Sequence, residues 1–428
     1  MVWLALFLSA QAQTLTVEGT CPGTVRLVAE GTPGAQVALL RGTGRRSDRV
    51  PAGPCAGLAT DLSGATLVGT VQTLPTNGRL RGPVPTVLDD CDAPLQMVDL
   101  DACTLSDVVL QGPARDYSQL GPFTVGNLAL PVTARGGTAL PTDVWFPSTD
   151  VGSQVRSYDA RAYPSQTGEA LLDVTPACDV PRPVLVHSHG STSLPLEMFE
   201  VMEYLASHGW LVLAPEHVGN SWNDSTAFLT TMTRRRPRDV ADTYSALLDA
   251  VADPTSPLFG CADPDAGYVV SGNSFGGYTA YAVGGALVND PFSPTLDLGD
   301  PAATAVVTYV PWDAFFSLTS GPSAMTVPVL TFGADRDSTV GDVYRDLFAE
   351  VNSLPRSGIA FPDAGHLSFT PIWCVAPGNG CGPSFTDLDV TVGVAEQGTL
   401  AFLEDLRGRV GAWDQFPRGG PFQAMHIR

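Results

Sequence analysis

Residues 268–286 read YVVSGNSFGGYTAYAVGGA: a β-prone run, a serine between glycines, and an Ala-rich stretch with helical character. The spacing Gly272-x-Ser274-x-Gly276 predicts a tight turn from strand to helix, in which the serine backbone is strained and its hydroxyl stands at the top of a sheet. Small residues two before and two after the serine let strand and helix close on each other. At this chain's Gly and Ser frequencies chance supplies about 0.3 such patterns, so the flanking context carries the reading. Tyr268-Val269-Val270 ahead of the turn suits a strand, and residues 278–287 behind it suit a helix.

Outward from this turn the same rhythm continues. Continuous apolar runs at 183–187, 210–214, 305–310, 328–332 and 359–361 alternate with helical spacing at 199–207 and 239–252. Buried strands alternating with helices predict an α/β fold, a mostly parallel sheet with helices on both faces and ligands at the carboxyl ends of its strands. The first hundred or so residues read differently. Short β-rich runs at 24–30, 36–40, 65–73 and 106–110 are separated by Gly and Pro turns, which predicts a small all-β sandwich. The expected division is a signal peptide at 1–12, a β-sandwich at 13–114 and an α/β domain at 115–428.

The 428 residues are 44% apolar, enough for two cored domains. The formal charge is −21, and all 23 basic residues are arginine. Nucleic acid and anionic membrane surfaces are therefore excluded as expected partners, since phosphate binding needs basic patches. An apolar stretch at 2–8 followed by Ala10-Gln11-Ala12 suits cleavage before Gln13, predicting export to a secreted, periplasmic or cell-surface location. No later run is long and apolar enough to predict an integral membrane segment. Eight cysteines without a C-x-x-C spacing predict disulfides in an oxidising compartment. Proximity suggests Cys21 with Cys55, Cys91 with Cys103, and Cys374 with Cys381.

A serine nucleophile needs a base for its proton and a carboxylate to hold that base in the right tautomer. Of six histidines only His366 and His426 follow Ser274. His366, in a loop directly after the strand at 359–361, is the candidate base. The acid is Asp337, at the end of the strand at 328–332, with Asp335 and Asp313 as alternatives. For the oxyanion hole the backbone N–H groups of Phe275 and Ser191 are the candidates, the second lying in His187-Ser188-His189-Gly190-Ser191. His187 and His189 also match a two-histidine metal spacing, but no third ligand is cued, and no metal or other cofactor is expected. Trp222, Trp312, Phe315, Phe316, Phe369 and Trp373 are candidates for an apolar substrate pocket. Arg234, Arg235, Arg236 and Arg238 read as a solvated face before a helix capped by Asp239.

Several phrases in order, over about residues 117–410, carry a family resemblance. Ser188-His189-Gly190, Ala214-Pro215-Glu216-His217, Arg236-Pro237-Arg238-Asp239, Ser274-Phe275-Gly276-Gly277-Tyr278 and Ala364-Gly365-His366 resemble the bacterial dienelactone-hydrolase-like and platelet-activating-factor acetylhydrolase-like branch of the α/β-hydrolases. Val310-Pro311-Trp312 and Gly333-Ala334-Asp335-Arg336-Asp337 are similar to cutinase-like polyester hydrolases. The second likeness implies Asp337 as the acid, whereas the acetylhydrolase branch implies Asp313. Asn273 stands where the family usually has histidine, and Ser274 where true dienelactone hydrolases have cysteine. The N-terminal segment resembles β modules of secreted bacterial proteins, which implies a surface or polymer as its partner.

The expected activity is hydrolysis of a carboxylic ester through Ser274, His366 and Asp337. The substrate classes are short-to-medium acyl esters, lipid-like esters and polyesters. An amidase or peptidase, and a non-catalytic adhesion or binding protein on a hydrolase-like scaffold, are the alternatives.

Overall fold

The computed structural model of the chain describes residues 13–19, 25–42, 49–50, 53–83, 93–110, 117–160, 163–290, 293–313, 321–409, 412–417 and 419–427. The chain divides into two compact units, residues 1–116 with 403–415 and residues 117–402 with 416–428. The residues read as a signal peptide, together with Cys21, Cys91, Phe315 and Phe316, lie outside the described residues.

In the first unit Thr14–Gly19, Val25–Glu30 and Arg79–Pro83 form an antiparallel sheet. A second sheet is centred on Gln36–Arg41 and Pro94–Asp99, flanked by short strands. Leu15, Leu27, Val37, Leu95, Met97 and Val109 gather in one apolar cluster. The run at 65–73 is broken: Thr66–Leu67 and Gln72–Thr73 both pair with Gln36–Arg41, and between them Gly69 turns the chain at φ 70°. The proximity pairing of cysteines is corrected here, because Cys55 is bonded to Cys103. Strand connection outweighs sequence distance: the turn joining Pro94–Asp99 to Thr104–Leu105 returns Cys103 to the turn that holds Cys55.

The second unit is α/β and contains one large mixed sheet. Its strands run, from edge to edge, Val155–Tyr158, Gln166–Leu171, Thr124–Thr133, Ala139–Ser148, Leu211–Pro215, Val184–Ser188, Tyr268–Asn273, Ala303–Tyr309, Val329–Ala334, Arg356–Phe361 and Gln423–Ile427. The neighbours from Leu211–Pro215 to Arg356–Phe361 are parallel. Thr124–Thr133 and Gln166–Leu171 are parallel as well, while the remaining four of the ten neighbouring pairs are antiparallel, so the sheet is mixed with parallel pairs in the majority, as expected. One cause of the mixture is connection length. Thr124–Thr133 and Ala139–Ser148 are joined by residues 134–138 with Gly137 at φ 80°, too short for a parallel crossover.

Every residue of Val184–Ser188, Leu211–Pro215, Tyr268–Asn273 and Val329–Ala334 is buried. Such strands are covered on both faces, which explains their unbroken apolar text. On one face Val186, Leu213, Val270 and Val306 share a core with Met232, Val240 and Tyr281 from helices Leu229–Ala252 and Phe275–Val283. Helix Phe199–Ser207 packs against the Ala139–Ser148 strand. It is anchored by Glu203, which accepts from Tyr158 Oη at 2.6 Å and from the N–H of Ala170 at 2.9 Å.

Helix Leu229–Ala252 begins ten residues before Asp239 and runs through Pro237. Proline at this point removes a donor and would leave the carbonyl of Thr233 unpaired. Tyr278 Oη donates to that carbonyl at 3.2 Å, so the helix continues. Asp239 is therefore an interior helix residue and not a cap, and the solvated-face reading of the arginine run fails at Arg236, which is 0% exposed. Among the described residues no helix is long and apolar enough to cross a membrane.

Candidate active site

Ser274 sits between the Tyr268–Asn273 strand and the Phe275–Val283 helix at φ 55°, ψ −116°, a conformation that L-residues adopt only under constraint. The constraint is visible on both sides of the residue. Ser274 N–H donates to Tyr309 O at 2.9 Å, and Ser274 O accepts from the N–H groups of Gly277 and Trp312 at 2.9 and 3.0 Å. The glycines at −2 and +2 are required by close approach. A Cβ on Gly276 would lie 1.7 Å from Ser188 O, and one on Gly272 would lie 2.1 Å from Gly276 O. Since both obstacles are backbone, Gly276→Ala is expected to cost about 3 kcal/mol or more through overpacking. Thermal unfolding of the variant checks this, and a melting temperature like that of the wild type would contradict it.

His366 Nε2 lies 2.9 Å from Ser274 Oγ, and His366 Nδ1 lies 2.7 Å from Asp337 Oδ2. Asp337 Oδ1 accepts from the N–H groups of Thr339 and Val340 at 2.7 and 3.0 Å, which orients the carboxylate. The other two aspartates considered lie elsewhere. Asp335 is bound by Tyr344 Oη and, at 2.6 Å, by Arg345. Asp313 is partly buried, and its carboxyl is raised chiefly by that burial. An acid–imidazole–hydroxyl chain of this kind can draw off the serine proton as the oxygen attacks.

The loop closed by the Cys374–Cys381 disulfide packs against the histidine loop. Asn379 within it joins both partners of the serine: Oδ1 accepts from Ser338 Oγ at 2.9 Å, Nδ2 donates to Thr339 Oγ1 at 2.7 Å, and its carbonyl accepts from Leu367 N–H at 2.9 Å. A residue in a Gly-rich surface loop carries no sequence cue for such a role, and only the fold brings it in.

Ser274 and His366, 8% and 7% exposed, open onto a cavity of about 260 Å³ whose wall also includes Ser191, Tyr163, Trp222 and Trp373. The three aromatic rings pack together, with Trp373 5.4 Å from Tyr163 and 5.2 Å from Trp222 between centroids. Trp373 Nε1 donates to Ser193 Oγ at 2.6 Å, and Ser193 Oγ in turn donates to Glu197. Trp312 is set behind Phe275, 5.3 Å away edge-on, and is not on this wall. Phe369 is corrected from pocket to core: it is fully buried among Tyr309, Phe332 and Phe361, because its place after the histidine turns it into the aromatic layer between strands. Tyr163 and Glu197 carried no signal in the sequence.

Phe275 is the first residue of its helix, so its N–H has no intrahelical acceptor. Beneath the 188–191 loop lies a buried polar network. His217 Nε2 is 2.9 Å from Ser188 Oγ, and its Nδ1 is 2.9 Å from Asp239 Oδ2. This repeats the atom order of the Ser274 chain, yet all three residues are 0% exposed and no substrate reaches them. Burial first, and then the charge of Arg236, hold the His217 and His189 imidazoles well below their usual protonation range. Burial pushes Asp239 up to about 7. His187 Nδ1 faces Ser271 Oγ at 3.0 Å, while His189 Nε2 accepts from His217 N–H at 3.0 Å. Each histidine of the pair is thus engaged within the protein, and among the described residues no group of three His, Cys, Asp or Glu could hold a metal ion. No protein-family model matches the chain, and no curated protein matches it.

Proposed function

We propose that the chain is an exported serine carboxylic-ester hydrolase with an α/β-hydrolase fold, akin to the dienelactone-hydrolase-like and platelet-activating-factor acetylhydrolase-like branch. The observation that carries the reading is the unbroken path from Asp337 through His366 to Ser274, 2.7 and 2.9 Å long, ending at a constrained serine on a cavity wall. In the reaction, Ser274 Oγ attacks the ester carbonyl while His366 Nε2 takes its proton. The oxyanion is held by the N–H groups of Phe275 and Ser191. Collapse expels the alcohol, protonated by the imidazolium, and leaves an acyl-enzyme. Water then enters, gives a proton to His366 and releases the acid as Ser274 recovers its hydrogen. The disulfides Cys55–Cys103, Cys178–Cys261 and Cys374–Cys381 support an oxidising compartment.

A cavity of about 260 Å³ is smaller than the pockets that enclose drug-sized ligands, roughly 300–1,000 Å³, so it suits a short-to-medium acyl group among the aromatic rings. The alcohol part then stays at the mouth, where a lipid-like or polymeric leaving group is tolerated. The test is a series of p-nitrophenyl esters from acetate to palmitate beside matching anilides. We expect kcat/KM to peak among the short esters and to fall by at least about tenfold at palmitate, since each methylene a pocket cannot hold forfeits roughly 1 kcal/mol. Faster cleavage of anilides than of esters would indicate an amidase. Absence of any ester turnover by folded, oxidised protein would indicate a binding role.

A further inference from the structure

The N–H of Ser191 has no side chain to steer it, so its direction depends on what holds the carbonyl at the other end of its peptide. A peptide is planar and trans, which sets C=O and N–H pointing to opposite sides. Arg236 Nη1 donates to His189 O at 2.7 Å, and Arg236 Nη2 donates to Gly190 O at 2.9 Å. Both peptides around Gly190 therefore turn their oxygens toward one guanidinium and their N–H groups away from it. The first of these N–H groups, that of Gly190, meets Glu197 Oε1 at 2.8 Å. The second is that of Ser191, a residue on the wall shared with Ser274 and His366.

We propose that Arg236 is a positioning residue: its guanidinium locks the two peptides around Gly190 so that the Ser191 N–H is aimed at the developing oxyanion before substrate arrives. The inference rests on the ester-hydrolase reading. His189 reinforces the lock. Its Nε2 accepts from His217 N–H, so in the neutral ring the proton is on Nδ1, which donates to Gly190 O at 2.8 Å. The guanidinium carbon also lies 4.6 Å from the ring of Phe275, but the Phe275 N–H, the second oxyanion donor, is directed by the backbone of the helix it starts and not by this contact. Burial pulls Arg236 down to about 9, still a cation at neutral pH, with the carboxyl groups of Glu197 and Asp239 nearby. A planar fork holds two carbonyls in one fixed geometry, which the single nitrogen and rotatable donors of lysine do not reproduce.

The test uses the full chain with p-nitrophenyl acetate, in wild type, Ser274→Ala, Arg236→Lys, Arg236→Gln and Ser191→Pro. Proline at 191 removes the N–H outright while the side chain it replaces is exposed. Each Arg236 variant and Ser191→Pro is expected to lower kcat about 10²-fold, the effect of losing one oxyanion donor, with KM changed less than about threefold. Combined with Ser191→Pro, Arg236→Lys is expected to cost nothing further, because the group it aims is gone. Unchanged kcat in a folded Arg236 variant, or losses that multiply in the double variant, overturns the proposal. If no Arg236 variant folds, Ser191→Pro decides alone: unchanged kcat leaves no donor for Arg236 to aim and overturns it, and a kcat loss at constant KM supports it. Failure of the underlying reading looks different, since wild type would then show no Ser274-dependent turnover at all.

Discussion

Ester turnover by Ser274→Ala is expected to fall by about 10⁵- to 10⁶-fold, and His366→Ala by as much, because each removes a member of one proton-coupled step. The double variant is expected to be no worse than either single one. Once the oxygen nucleophile is gone, an imidazole 2.9 Å from an empty position has no proton to take. KM is expected to stay within severalfold, because Tyr163, Trp222 and Trp373 still form the cavity wall. The fold is expected to survive: alanine has the same Cβ as serine at φ 55°, and the bonds that hold the turn run through the backbone of residue 274. Steady-state kinetics with an active-site phosphonate label measures both quantities. Substantial turnover or labelling in folded Ser274→Ala would remove Ser274 from the chemistry.

What could be read from the sequence depended on how local its cause was. The turn at Ser274 is legible because part of its cause is local: Gly272 answers to Gly276 four residues on, although Gly276 itself answers to Ser188 at the end of a neighbouring strand. Helix Phe199–Ser207 and the central strands follow from apolar text of one unmixed period. The strands between Thr124 and Leu171 did not announce themselves, since Gly126, Pro131, Pro141 and Gly168 interrupt their text as turn residues do. Pro237 hid the first turns of its helix, because the hydroxyl that replaces its missing donor comes from Tyr278, far along the chain. That same proline concealed Arg236, whose partners His189 O and Gly190 O are more than forty residues away. Cys55 and Cys103 illustrate the point from the other side, for a pairing 48 residues apart is set by strand order that no spacing rule contains.

Asp337→Asn is expected to lower kcat about 10⁴-fold while leaving KM and thermal stability nearly unchanged, and the reason lies in which way the amide must face. Asp337 Oδ1 accepts from two backbone N–H groups, of Thr339 and Val340. An asparagine keeps its carbonyl oxygen there, since turning the NH₂ toward two donors would leave all three unsatisfied. Its NH₂ is thereby directed at His366 Nδ1, 2.7 Å from the atom it replaces. The imidazole must then accept at Nδ1 and carry its proton on Nε2, where it opposes Ser274 Oγ with a donor instead of a lone pair. The base is present, correctly placed and in the wrong tautomer. Asp335→Asn disturbs only the contacts to Tyr344 and Arg345, and is expected to change kcat less than about threefold, as surface substitutions ordinarily do. Asp313→Asn is expected to behave in the same way. Should Asp313→Asn abolish turnover while Asp337→Asn retains it, the acid would be assigned to the preceding strand, and the 2.7 Å contact between His366 and Asp337 would be structural only.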